Sequence, residues 1–170
     1  MTTERSASER GQFLSFVLAG EEFAVNILQV KEIIEFDTLT RVPGMPAAVR
    51  GVINLRGRVV PIVDLAVAFG LDAAEVSNRS CIVMVETAAT DGNTVLGIIT
   101  DAVSEVLDLD LQSVQPPPSF GTAVGSEFLT GMVDAGRGLI MLLNIDRALS
   151  ASVLSGESVL AVAAAEPAAN

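Results

Sequence analysis

The sequence predicts an all-β protein built as two similar five-stranded barrels. Strand-length apolar runs follow one another from Phe13 to Leu149, with Gly, Pro or Asn between them. The order of these runs is repeated once along the chain, and Gly51 to Leu65 lines up without a gap against Gly131 to Ile145. Five short strands per half favour closure over an open sheet, which would leave two apolar edges exposed in each half.

The first half opens with Phe13-Leu14-Ser15-Phe16-Val17-Leu18 and Glu22-Phe23-Ala24-Val25, a hairpin whose turn is supplied by Gly20. Asn26 is a candidate N-cap for a short turn, and Val30-Lys31-Glu32-Ile33-Ile34-Glu35-Phe36 then alternates with enough β-branching to favour a strand. Pro43-Gly44-Met45-Pro46 breaks the ladder before the closing hairpin, in which two apolar runs flank an Arg56-Gly57 turn.

The second half repeats the plan. Cys81 to Val85 and Thr94 to Ile99 form a hairpin around the loop 88–93, and Val103-Ser104-Glu105-Val106-Leu107-Asp108-Leu109 repeats the Val-x-Glu strand. Pro116-Pro117-Pro118 takes the place of the first proline loop; a stiff connection fits this recurrence better than a ligand for an aromatic groove. In the last hairpin Asn144 stands where the first has Asp64. The halves, about 13–68 and 79–148, join near residues 66–79 within one domain of residues 11–150. Residues 1–10 read as a disordered leader and 151–170 as an Ala-rich tail, flexible or partly helical.

Composition narrows the function. Among 170 residues there are 21 acidic and 10 basic ones, a net charge of -11 that repels phosphate backbones and anionic lipid surfaces. Nucleic acid and direct membrane insertion are therefore not expected, and no apolar run has the roughly 20 residues of a membrane span. The polar first residues carry no secretory or transit signal, so the expected compartment is the cytoplasm. Histidine is absent and Lys31 is the only lysine, so Ser–His or Cys–His nucleophile pairs, Cys/His zinc sites and a phosphate-cradling Gly-Lys loop cannot be built. No metal, cofactor or catalytic residue is expected. Glu21-Glu22 and Asp108 with Asp110 read as solvated turn and edge charges, and Cys81 as a buried thiol in an apolar strand.

One feature points to docking. Arg56 is held at the tip of an otherwise apolar hairpin, a directional fork of donors on a stiff support. An ordinary solvated turn is the alternative.

Val30-Lys31-Glu32-Ile33, Thr40-Arg41-Val42-Pro43, Gly51-Val-Ile-Asn-Leu-Arg-Gly57 and Pro61-Ile-Val-Asp-Leu65, in that order and spacing, closely resemble the bacterial chemotaxis coupling family CheW. Leu96-Gly-Ile-Ile-Thr-Asp101 and Phe128-Leu-Thr-Gly131 fit it too, and the likeness runs from about Phe13 to Leu149. The resemblance implies two intertwined SH3-like barrels with a few short helices, a terminal strand or helix being open to exchange between them. It also implies a non-enzymatic adaptor that links chemoreceptor (methyl-accepting chemotaxis protein) cytoplasmic tips to the regulatory domain of the histidine kinase CheA, and that is recruited to membrane-associated arrays.

By match to the family, Val30, Glu32, Ile82, Leu96, Gly97 and Val103 would line or border a receptor groove with Arg56 at its rim. Gly51, Asn54, Gly57 and Arg58 would shape an adjoining docking surface. An apolar groove suits the aliphatic ridge of a helical hairpin, and an arginine at the rim can anchor a polar group. Core packing is the competing role for Val30, Ile82, Leu96 and Val103, and bracing of its own fold for Arg56. The Ala-rich C-terminus and Arg58 depart from the family pattern. Two other readings stay open: a regulatory piece of a kinase or of an adaptor–receiver fusion, which a free Met1 and polar leader argue against, and a small-molecule-binding or carboxylate-driven protein using the cleft.

Overall fold

The computed structural model describes residues 10–89, 92–116, 128–136 and 138–149, with the side chains of 88, 89, 92 and 93 left aside. The leader at residues 1–9, Pro117, Pro118 and the tail at 151–170 lie outside the described residues.

Each sequence-predicted hairpin forms. β1 (Arg10–Leu18) and β2 (Glu21–Asn26) pair antiparallel through Ala19 and Gly20, both with positive φ (56° and 82°). That is the twist-matched two-residue hairpin turn. A 3-10 turn, Ile27–Gln29, follows, capped by the Asn26 side chain accepting from the Leu28 N–H. β3 (Val30–Glu35) then confirms the strand expected of the Val-x-Glu segment. β4 (Val49–Leu55) and β5 (Arg58–Val63) make the closing hairpin, and a helical turn, Leu65–Ala68, ends the half. In the second half come β6 (Cys81–Ala89), β7 (Gly92–Thr100), β8 (Ala102–Asp110), a 3-10 turn Leu111–Ser113, β9 (Leu129–Asp134), β10 (Leu139–Leu143) and a helical turn Ile145–Ala148. β6 and β7 run further into the expected 88–93 loop than their apolar runs suggested.

The strands assemble into two five-stranded sheets with the orders β8-β1-β2-β10-β9 and β3-β6-β7-β5-β4. The sheet boundaries do not follow the chain halves 13–68 and 79–148. Each half gives its first hairpin to the other half's Val-x-Glu strand and closing hairpin, so a whole hairpin, not one terminal strand, is exchanged. The seams are parallel: β10 joins β2 at Met141↔Phe23 and Leu142↔Ala24, and β5 joins β7 at Ile62↔Gly97 and Val63↔Ile98. The two sheets are thus intertwined, in an SH3-like arrangement.

Three apolar clusters explain why the strands read as near-continuous hydrophobic runs. One fills the first sheet's concave side (Phe13, Ala24, Leu109, Ile140, Leu142) and another that of the second (Val60, Ile62, Ile82, Met84, Ile99). The largest lies between the sheets and includes Phe16, Phe23, Val83, Val85, Leu96 and Ile98. Successive residues of β6 therefore serve opposite clusters, Ile82 and Met84 one and Val83 and Val85 the other, so both faces of the strand are apolar. Cys81, expected buried, is half-buried at the end of β6, where its Sγ meets the Arg79 carbonyl at 3.6 Å.

Edge strands β4 and β9 are each met by a returning segment. Thr40 bridges Val52, and Gln115 bridges Met132. Gly51 and Gly131, equivalent in the two halves, admit these crossings: a Cβ on Gly51 (φ 155°) would stand 2.7 Å from the Thr40 carbonyl oxygen, and one on Gly131 2.8 Å from that of Gln115.

Candidate functional site

The β4–β5 turn places Arg56 (φ 51°) and Gly57 (φ 86°) in left-handed conformations. Asn and Gly are the usual occupants of the first position, and an arginine there costs about 1 kcal/mol of backbone strain. Asn54 supports the turn, its Oδ1 accepting from the Gly57 N–H at 2.9 Å. The Asn-Leu-Arg-Gly motif is therefore a self-braced loop that presents a guanidinium.

Arg56 does not point away from the protein. Its Nη2 donates to Glu32 Oε1 at 2.5 Å and its Nη1 to Oε2 at 3.4 Å, a two-pronged pair. β3 and β4 are the opposite ends of the sheet order, so this contact spans a strongly curled sheet. The Arg56 hydrogen bond holds the Glu32 carboxyl below its ordinary range, with partial burial opposing and the nearby positive charge reinforcing. The same contact raises Arg56. With side chains 72% and 31% exposed, the pair is open to a competing partner.

Of the residues assigned by resemblance, Glu32, Asn54, Arg56 and Gly57 come together at this tip, and Arg58 follows exposed on β5 opposite Leu55. The apolar set divides. Val30 on β3 and Val103 on β8, equivalent positions in the two sheets, are half-buried at the margin of the inter-sheet cluster. Leu96 is fully buried within that cluster, whereas Ile82 is fully buried in the interior of the second sheet, so neither offers surface to a partner. Gly97 is a packing position, because a Cβ there would meet Ile62 Cδ1 at 2.5 Å and Ile82 Cγ2 at 2.8 Å. Gly51 is buried beneath the Thr40 crossing.

Sequence reasoning missed the charged clamp at the hairpin's root. Asp64 is fully buried and accepts from Arg50 Nη1 (2.8 Å), Ala66 N–H (3.0 Å) and Ala74 N–H (2.9 Å), while Arg50 Nη1 also donates to the Ala74 carbonyl at 3.3 Å. One ion pair thus ties both ends of the hairpin to the segment that leaves it. The signal was present: a carboxylate inside Pro61-Ile-Val-Asp-Leu65 needs a buried partner.

Among the described residues no His, Cys, Asp and Glu cluster could hold a metal ion, and no helix is long and apolar enough to cross a membrane. The arrangement offers a rigid charged tip beside a curled sheet, which suits protein docking.

Comparison with known proteins agrees. Residues 12–153 match the model of the CheW-like domain. The chain is 35% identical over 144 residues to the chemotaxis protein CheW of Klebsiella aerogenes, covering 85% of this chain and 84% of that protein. It is 29% identical over 140 residues to protein FrzA of Myxococcus xanthus, covering 81% and 84%. The crystal structure of the scaffolding protein TtCheW from Thermoanaerobacter tengcongensis superposes with a TM-score of 0.73 at 30% identity, covering 82% of this chain and 88% of that one. Fold, motif and comparisons together establish that this chain belongs to the CheW family of chemotaxis scaffold proteins.

Proposed function

We propose that this protein is a non-enzymatic adaptor that couples the cytoplasmic tips of chemoreceptors to the regulatory domain of the histidine kinase CheA. It would act in the cytoplasm, recruited to membrane-associated receptor arrays. The observation that carries this reading is Arg56. A left-handed arginine in a two-residue turn, braced by Asn54 and set against Glu32, is a strained choice that stability alone does not favour. Family membership supports the same reading, as does the lack of any histidine for acid–base chemistry near neutral pH.

The receptor-facing region in this reading is the rim formed by Glu32 and Arg56, with Val30 and Val103 at the nearby margin of the inter-sheet cluster. Ile82, Leu96, Gly97 and Gly51 shape it from within. Asn54, Gly57 and Arg58 complete the tip.

The test is reconstitution. The protein should co-sediment with receptor-containing membranes and CheA, and Arg56→Asp should weaken both co-sedimentation and receptor control of kinase activity while leaving the circular dichroism spectrum unchanged. Full coupling by the charge-reversed protein would refute the role given to Arg56. Absence of wild-type co-sedimentation would refute the adaptor reading.

A further inference from the structure

We propose that the Ala-rich tail, residues 150–170, folds back over an exposed apolar rim at β3 and competes there with the receptor tip, so that the chain carries its own cover for the docking face. The competition rests on the receptor-facing reading given above. The rim is Ile27, Leu28, Val30 and Ile33. Val30 lies opposite Val85 and Ile33 opposite Val83, both residues of the inter-sheet cluster, so these two side chains stand on the strand face turned toward that cluster. Ile27 is half-buried against the same cluster. Ile33 is nevertheless 42% exposed, and Leu28, on the 3-10 turn, 86%.

The point where the described chain ends selects the occupant. Gln29 Nε2 donates to Asp146 Oδ1 at 3.3 Å, so the last helical turn lies beside the 3-10 turn, and both rest against β6. Leu149 follows, buried in the cluster that Ile27 and Val30 border. Residues 150–170 therefore start next to the rim. Extended, a segment of that length reaches about 70 Å, several times the roughly 20 Å of a six-residue strand. Its large side chains are Val153, Leu154, Val159, Leu160 and Val162, aliphatic like the rim. A segment tethered so closely acts at an effective concentration in the millimolar range, so contacts too weak to hold a separate peptide still populate the covered state.

Charge selects between two equivalent rims. On β8, Val103 and Val106 lie opposite Phe16 and Leu14 of the same cluster, and Val106 is also half-exposed. That strand carries Glu105, Asp108 and Asp110 and no cation. The tail's only charged side chains are Glu157 and Glu166, which such a strand repels. β3 and the adjoining hairpin tip instead carry Lys31, Arg56 and Arg58 against Glu32 and Glu35, a balance that accepts an acidic segment.

The experiment places a nitroxide on the tail of the full chain, at Ser158→Cys in a Cys81→Ser background, and follows methyl resonances. The label should broaden Leu28, Val30 and Ile33 and leave Val106 sharp. A rim left sharp would overturn the proposal. So would equal broadening in a mixture of spin-labelled chains with isotope-labelled chains that lack the nitroxide, because the occupant would then be a second copy. Val159→Asp with Leu160→Asp should abolish the broadening and tighten binding to receptor-containing membranes by about three- to tenfold, since the covered fraction no longer competes. Unchanged or weaker binding by that variant would overturn the competition. Failure of both wild type and variant to bind would refute the adaptor reading and the competition with it, whereas a sharp rim in a chain that binds receptor refutes the cover alone.

Discussion

Asp64 and Asn144 occupy the same place in the two closing hairpins, each capping the one-turn helix that follows, but only Asp64 carries an ion pair. Asn144 accepts from the Arg147 N–H at 3.2 Å, whereas Asp64 holds Arg50 and two backbone N–H groups at full burial. The duplicated plan has thus been specialised in one half only, where the chain leaves β5 to return as β6 of the same sheet.

Alanine substitution should expose that difference. Asp64→Ala leaves Arg50 without its carboxylate and two N–H groups without acceptors, and should destabilise the protein by about 3 kcal/mol. Asn144→Ala removes one cap bond and should cost about 1 kcal/mol. Urea unfolding midpoints of the two variants measure the gap, and equal losses would contradict the clamp.

Gly97 and Gly57 are both glycines of the candidate region, for unlike reasons. An added methyl at Gly97 meets Ile62 and Ile82 side chains in a filled interior, so Gly97→Ala should cost about 1–3 kcal/mol by overpacking. Gly57 has open space around it but a φ of 86°, so Gly57→Ala should cost about 1 kcal/mol through backbone strain alone. Thermal denaturation of both variants tests the order.

Glu32 should titrate abnormally. Because Arg56 holds its carboxyl below the ordinary range, the pair's contribution is complete above the unfolded-state pKa of about 4.3 and is lost as pH falls through the lower folded value. The pair is too exposed for global stability to follow it closely. The carboxyl carbon resonance of Glu32 should move with a lower midpoint in the wild type than in Arg56→Met, and equal midpoints would show that the contact does not persist in solution.

Ala19 offers a gain. It sits at φ 56° in the β1–β2 turn, where its N–H donates to Asp101 Oδ2 at 3.1 Å, a backbone contact that any residue can make. Ala19→Asn should raise stability by roughly 0.5–1 kcal/mol, read as a higher melting temperature, because asparagine tolerates this conformation better.

What the sequence revealed was local. Hairpins, the Asn26 cap, the Val30 to Glu35 strand and the tip at Arg56 are each set by neighbours a few residues apart, and each was legible from spacing and turn chemistry. The exchange of hairpins was not, because β1–β2 would present the same alternation whichever Val-x-Glu strand it joined. For the same reason Ile82 and Leu96 looked alike as candidate groove residues. A strand buried on both sides carries no pattern that says which face is which, and the two belong to different clusters. The Glu32–Arg56 pair needed the curl of the sheet, which no short segment encodes.

The parallel seam between β2 and β10 has a consequence for synthesis. Phe23 emerges from the ribosome early, yet its partner Met141 follows about 120 residues later. At roughly 5–20 residues per second, the first hairpin waits many seconds with a bare apolar flank before its neighbour is translated. Folding is therefore a late event for this chain, completed only once β10 has emerged, and the nascent first hairpin is a natural client for chaperones that shield unpaired strands.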